Sequence, residues 1–197
     1  DDLSSDSKAL EDCPQNCILV LNRRSGVPLA VCALKYPRGT PVVRVYVTKQ
    51  RVRGQQPAVT TEMLGLVWMT EPASYPLYLW AEFTAEGFFP YTKYAIYTST
   101  GYKGRFEETP SYTAHHPHAA AYSPEVVVLA RTGEPPHVYE GCARIEVSST
   151  DPDETHPFTL SMCSAMDPVL LICFAAMVDE ATEKAMRLQR KDPHEDN

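Results

Sequence analysis

Asp167-Pro168-Val-Leu-Leu-Ile-Cys-Phe-Ala-Ala-Met-Val178 is the stretch on which the fold turns. Asp followed by Pro is a helix start. The carboxylate caps a free backbone N–H, and the N–H that proline lacks costs nothing in the first turn. From Pro168 to Val178 the run has no polar face. A helix that is apolar all round is buried all round. Its length is roughly 16 Å, about half a bilayer core, so it does not span a membrane alone. After Asp179-Glu180 the pattern turns amphipathic, with Ala181, Ala185, Met186 and Leu188 among Glu183, Lys184, Arg187 and Arg190. The spacing predicts one helix over about 168–189 that starts in a core and ends at the surface.

The segments before it read as short strands. Candidates are Cys17–Asn22, Pro28–Lys35, Val42–Lys49, Leu64–Met69, Leu77–Phe83 and Tyr91–Thr98, then Gly104–Glu107, Glu125–Arg131, Pro136–Glu140, Ala143–Ser148 and Phe158–Cys163. Another is expected to start at Tyr112, giving eleven or twelve. Val43, Val45 and Val47 share one face, while Arg44, Tyr46 and Thr48 share the other. Leu77, Leu79, Ala81 and Phe83 alternate in the same way with Tyr78, Trp80 and Glu82. Breaks carry turn chemistry, as at Ser25-Gly26, Glu86-Gly87 and Thr132-Gly133. Seventeen prolines suit loops and strand edges rather than helices. A buried helix in an otherwise all-β chain needs a sheet wrapped around it. The expected fold is therefore mainly β: a closed, roughly twelve-stranded antiparallel barrel enclosing a hydrophobic C-terminal helix.

With 197 residues the chain suits one domain, expected over 13–189 between an acidic arm at 1–12 and a polar tail at 190–197. The composition, 44% hydrophobic and 22% charged, excludes a disordered chain, a collagen-like repeat and a membrane bundle. The net charge of -7 argues against a general nucleic-acid binder. That total hides an asymmetry. Residues 13–60 hold eight Lys and Arg and no acid, whereas 61–197 hold 9 basic and 20 acidic residues. Such a block either forms a positive face or is neutralised by acids of later strands.

The strand–turn–helix segment Phe158-Thr-Leu-Ser-Met-Cys-Ser-Ala-Met-Asp-Pro-Val-Leu-Leu-Ile-Cys-Phe-Ala-Ala-Met-Val-Asp-Glu180 resembles the end of the tubby C-terminal-like fold. That fold is shared by tubby proteins, phospholipid scramblases and LURP-one-related proteins, and the last of these is the branch the segment looks most like. The element order over Cys17–Gln189 is similar. The signatures of tubby proper and the metal-binding, Cys-rich features of scramblases are not found. The resemblance implies binding rather than catalysis, and anionic lipid headgroups such as phosphoinositides as a ligand class. Several convergent cations are needed to hold phosphate, and Arg grips two oxygens at once. The candidates in this chain are Lys35, Arg38, Arg44, Lys49, Arg51 and Arg53. An alternative expectation is a scaffold or accessory subunit of a larger protein assembly. Its candidate partner patch is Tyr78, Trp80 and Glu82, since Tyr and Trp are favoured at interfaces.

No catalytic motif is present: no G-x-S-x-G, H-E-x-x-H, P-loop or G-x-G-x-x-G. Cys142 with His137 is the nearest approach to a thiol–base pair, and its plainer reading is a buried Cys beside a loop His. Three imidazoles in His115-His116-Pro117-His118 have metal-binding chemistry, but the neighbouring Ala119–Ala121 and Pro117 suggest a surface loop. Asp151, Asp153 and Glu154 fit no EF-hand spacing. No enzyme activity, cofactor or metal is expected. Six cysteines, at 13, 17, 32, 142, 163 and 173, read mainly as small buried hydrophobes in a reducing compartment. Cys13 and Cys17 leave room for a disulfide. The expected location is intracellular, either soluble or at a membrane periphery, with organelle import open because the chain begins at Asp1.

Overall fold

A computed structural model describes residues 17–35, 41–48, 60, 63–71, 73, 76–87, 91–99, 106–117, 125–133, 136–147, 158–163 and 166–190. These form β1 (Cys17–Asn22), β2 (Pro28–Lys35), β3 (Val42–Thr48), β4 (Leu64–Trp68), β5 (Leu77–Glu86), β6 (Lys93–Thr98), β7 (Tyr112–His115), β8 (Glu125–Thr132), β9 (Val138–Val147), β10 (Phe158–Met162) and α1 (Pro168–Arg190). The expected arm at 1–12 and the tail beyond Arg190 lie outside the described residues.

All ten strands belong to one antiparallel sheet, in the order β10-β9-β8-β7-β6-β5-β3-β2-β1-β4. Among the described residues ten strands stand where eleven or twelve are expected, for two reasons. Pro136–Glu140 and Ala143–Ser148 are not two strands. Leu129 lies opposite Gly141 and Val128 opposite Ala143, so Cys142 is the extra residue of a bulge inside one strand, β9. Of the strand expected over Gly104–Glu107, the described part, Phe106 and Glu107, shows a bridge between Phe106 and Ser99, and Gly104 and Arg105 lie outside the described residues. Closure is not part of the described architecture either. β4 and β10 are the two ends of the strand order, and no ladder joins them among the described residues.

The helix starts where its sequence dictates. Asp167 Oδ1 accepts the Val169 N–H at 2.8 Å, and Asp167 O accepts the Leu171 N–H at 3.1 Å. Every residue from Val169 to Val178 is at most 8% exposed, so no side of this segment meets water. Phe174 takes the rings of Phe83 and Tyr94 edge to face, at centroid distances of 5.6 and 5.4 Å. The helix also approaches β2 and β3 from one half of the sheet and β9 and β10 from the other. Strands that far apart in the order can reach one helix only if the sheet curls about it. The inward residues of this curl, among them Val45, Phe83, Ile96, Val128 and Ile145, share one core with the helix.

A second apolar cluster lies on the outer face: Cys17, Val31, Ala33, Tyr46 and Leu77. Val31 and Ala33 alternate with the inward Ala30, Cys32 and Leu34, which explains why β2 is apolar throughout. Strand order supplies the cover. β4 and β5 run parallel, separated by β1, β2 and β3. Parallel strands need a crossover, and Met69 and Ala73 of the connecting segment pack on this cluster.

Candidate functional site

The described cations of the N-terminal third do not form one group. Lys35 lies opposite Val42 at one end of β3, and Thr48, the residue before Lys49, closes the other end. Six steps of strand separate them by about 20 Å. Lys35 thus stands apart from the chain that leads into Lys49, Arg51 and Arg53. Those three, and Arg38, lie outside the described residues.

Arg44, between the two ends, is already engaged. It sits directly opposite Glu82 in the β3–β5 ladder, and its Nε donates to Glu82 Oε2 at 2.9 Å. The hydrogen bond to Glu82 is the main reason the guanidinium pKa lies above its ordinary value. One candidate of the positive face is here neutralised by one candidate of the partner patch.

That patch is itself divided. In the β3–β5 ladder Val45 faces Ala81 while the next residue, Tyr46, faces Leu79, so Trp80 is the extra residue of a bulge. A bulge reverses the alternation beyond it. Ala81 and Phe83 therefore enter the core around the helix, whereas Leu77 and Leu79 join the outer cluster with Tyr46. Trp80 packs against the helix core, and Glu82 stays outside with Arg44. The single face expected for Tyr78, Trp80 and Glu82 does not exist.

Two cations outside that candidate set hold a better position. The turn after β1 is shaped by Asn22, whose Oδ1 accepts the N–H groups of Arg24 and Ser25 at 2.9 and 3.2 Å. Gly26 closes it at φ 67°, a left-handed conformation that suits glycine. Arg23 and Arg24 are exposed and make no ion pair among the described residues. The Arg23 N–H donates to Met63 O at 2.8 Å. A Cβ at Gly65 would stand 3.0 Å from Arg23 Cγ, so the small residue leaves space for the arginine stem. Ala30 lies opposite Val47, which brings this turn to the same end of the sheet as the exit from β3. The segment from Lys49 onward leaves Thr48 at that end and returns there at Met63. Nothing in the sequence marks Arg23 and Arg24 apart from other exposed arginines, because the pairing of strands determines which turn faces which loop.

The remaining constellations resolve into structural roles. His115 pairs with Lys93 and Val127 in its ladders, and His116 is 9% exposed, with Nδ1 3.0 Å from the Glu125 carbonyl oxygen. These two are strand-end residues, not the expected loop; His118 lies outside the described residues. Among the described residues no group of three or more His, Cys, Asp or Glu is arranged to hold a metal. His137 Nδ1 lies 3.2 Å from Gly133 O, while the Cys142 thiol donates to Val128 O at 3.4 Å, so neither is directed to the other by these bonds. Among the described residues Cys32, Cys142 and Cys163 are free thiols. Cys13, Asp151, Asp153 and Glu154 lie outside the described residues. Among the described residues no helix is long and apolar enough to cross a membrane.

The chain matches no family model, no curated protein and no solved structure.

Proposed function

We propose that this chain is a non-enzymatic binding module that meets an anionic lipid surface, including phosphoinositide headgroups, at the end of the sheet built by the β1–β2 turn. The observation that carries this reading is the shared location of Arg23 and Arg24 with both attachments of the segment holding Lys49, Arg51 and Arg53. Arg23 and Arg24 stand at this end, and Lys49, Arg51 and Arg53 follow Thr48 within five residues of sequence; several cations together are what phosphate oxygens require. Lys35 belongs to the other end of β3 and is secondary. Arg44 is a ladder residue held by Glu82 and is not a ligand. We also propose the finer fold: the sheet closes between β4 and β10 into a barrel of tubby-like type. Support comes from the helix segment Val169–Val178, buried on every side, and from the strand order, whose two edges run antiparallel and are thus able to pair.

The test is flotation with phosphatidylcholine vesicles containing phosphatidylserine or phosphatidylinositol bisphosphate. Recruitment is expected at low salt and should fall as salt rises, because exposed charges are screened. Absence of binding at low salt overturns the reading.

A second reading has its own observation. Val67 and Trp68 on edge strand β4 are 50% and 54% exposed, and β4 carries neither charge nor proline, the usual protections of an edge. A scaffold or accessory subunit in a larger assembly would use this edge rather than Tyr78-Trp80-Glu82. Co-purification in a high-mass complex, lost on Trp68→Lys, distinguishes it from the lipid reading.

A further inference from the structure

The last ladder brings two thiols opposite one another. Ala143 pairs with Met162, and the next pair along is Cys142 with Cys163, joined by a Cys163 N–H to Cys142 O hydrogen bond of 2.8 Å. Opposed residues of a hydrogen-bonded pair have Cα atoms about 5.5 Å apart, which lies within the span of a disulfide. Cys142 is the bulged residue of β9, so strict ladder alternation does not fix the direction of its side chain. Its Sγ lies 4.0 Å from Met166 Sδ, beside the chain that leads from β10 into the helix. Cys142 is buried, Cys163 is exposed, and both are free thiols.

We propose that Cys142 and Cys163 form a reversible dithiol–disulfide pair, oxidised by a low-molecular-mass disulfide, that staples the last strand, β10, to β9 at the entrance to the helix. The Cys163 thiolate attacks one sulfur of the small disulfide. A mixed S–S bond forms, the small disulfide's own S–S bond breaks, and one thiolate leaves. The Cys142 thiolate then attacks the Cys163 sulfur and expels the second small thiolate. Overall the two protein thiols lose two electrons and two protons, and the small disulfide gains them as two thiols.

Access sets the order, since only Cys163 meets the solvent. Closure is the slow step. Burial first, and then the charge of Cys163, push the Cys142 thiol up to about 11. Little Cys142 thiolate therefore exists near neutral pH, and its fraction grows about tenfold per pH unit below that value.

The full chain, incubated with oxidised glutathione at pH 7.0 and 8.5, is quenched with iodoacetamide, digested without reduction and read by mass spectrometry. Glutathione is expected on Cys163 first, followed by a linked Cys142–Cys163 peptide that forms about thirtyfold faster at pH 8.5. Cys163→Ser replaces an exposed residue and leaves the core intact, and it should abolish the linked peptide. A mixed disulfide on Cys163 that persists at pH 8.5 without closing overturns the proposal. So does a linked peptide that joins Cys163 to a different cysteine.

Discussion

Tyr94 shows how much a single ring can carry. It touches Phe174 of the helix and the ring of His116, and its hydroxyl donates to Tyr91 O at 3.4 Å. Burial is the main cause that pushes its phenol up to about 12. An acid whose pKa is higher in the fold than in the unfolded chain stabilises the fold while it is protonated in both states. That contribution is lost as pH rises from about 10, where the unfolded tyrosine ionises, to about 12. Urea titrations across this window should show stability falling, and Tyr94→Phe should remove up to about 2–3 kcal/mol of the decline. An unchanged slope in the variant contradicts the burial assigned to the ring. At this scale the sequence is partly readable. Alternation places Val43, Val45 and Val47 inward correctly. It fails for Leu77 and Leu79, because the bulge at Trp80 leaves no mark in the pattern of apolar residues.

Among the elements, the helix is the most legible. Asp167-Pro168 marks its start to the residue, and an all-apolar surface requires burial on all sides, as found from Val169 to Val178. The cap carries a measurable part of this. Asp167→Ala should cost about 1 kcal/mol by denaturant unfolding, and Asp167→Asn, which still accepts the Val169 N–H, should cost less. Equal losses would mean that charge, not the hydrogen bond, is what matters. Strand order is not legible. The crossover from β4 to β5 buries the outer faces of Val31 and Tyr46, and a run such as Pro28–Lys35 reads the same whether its second face is covered by a helix or a strap.

At the level of the whole molecule, one sheet curls around the buried segment Val169–Val178 and leaves the described cations Arg23 and Arg24 at one end of the β1–β3 strands and Lys35 at the other. The helix is the common contact of both halves of the sheet. Leu171, 0% exposed, is therefore a site where a charge has nowhere to go. Leu171→Asp should cost several kcal/mol, enough to unfold the domain, because the carboxylate would be buried without a partner. A folded, soluble variant with unchanged circular dichroism would contradict the enclosed position of the helix. The charge asymmetry is plain in the amino-acid order, but its division into ends is not. That division depends on which turn each strand pairing brings beside which loop, as with Arg23, Arg24 and the exit from Thr48. It also yields the sharpest test of the binding reading. Flotation on phosphoinositide-containing vesicles at low salt should be compared for the parent chain, Arg23→Glu with Arg24→Glu, Arg44→Ala and Lys35→Glu. With each arginine near an anionic surface worth about 1 kcal/mol, the double variant should lose at least about tenfold in apparent affinity. Arg44→Ala should bind like the parent, and Lys35→Glu should lose far less than the double variant. Loss at Lys35 or Arg44 with full binding retained by the Arg23/Arg24 variant would contradict the account.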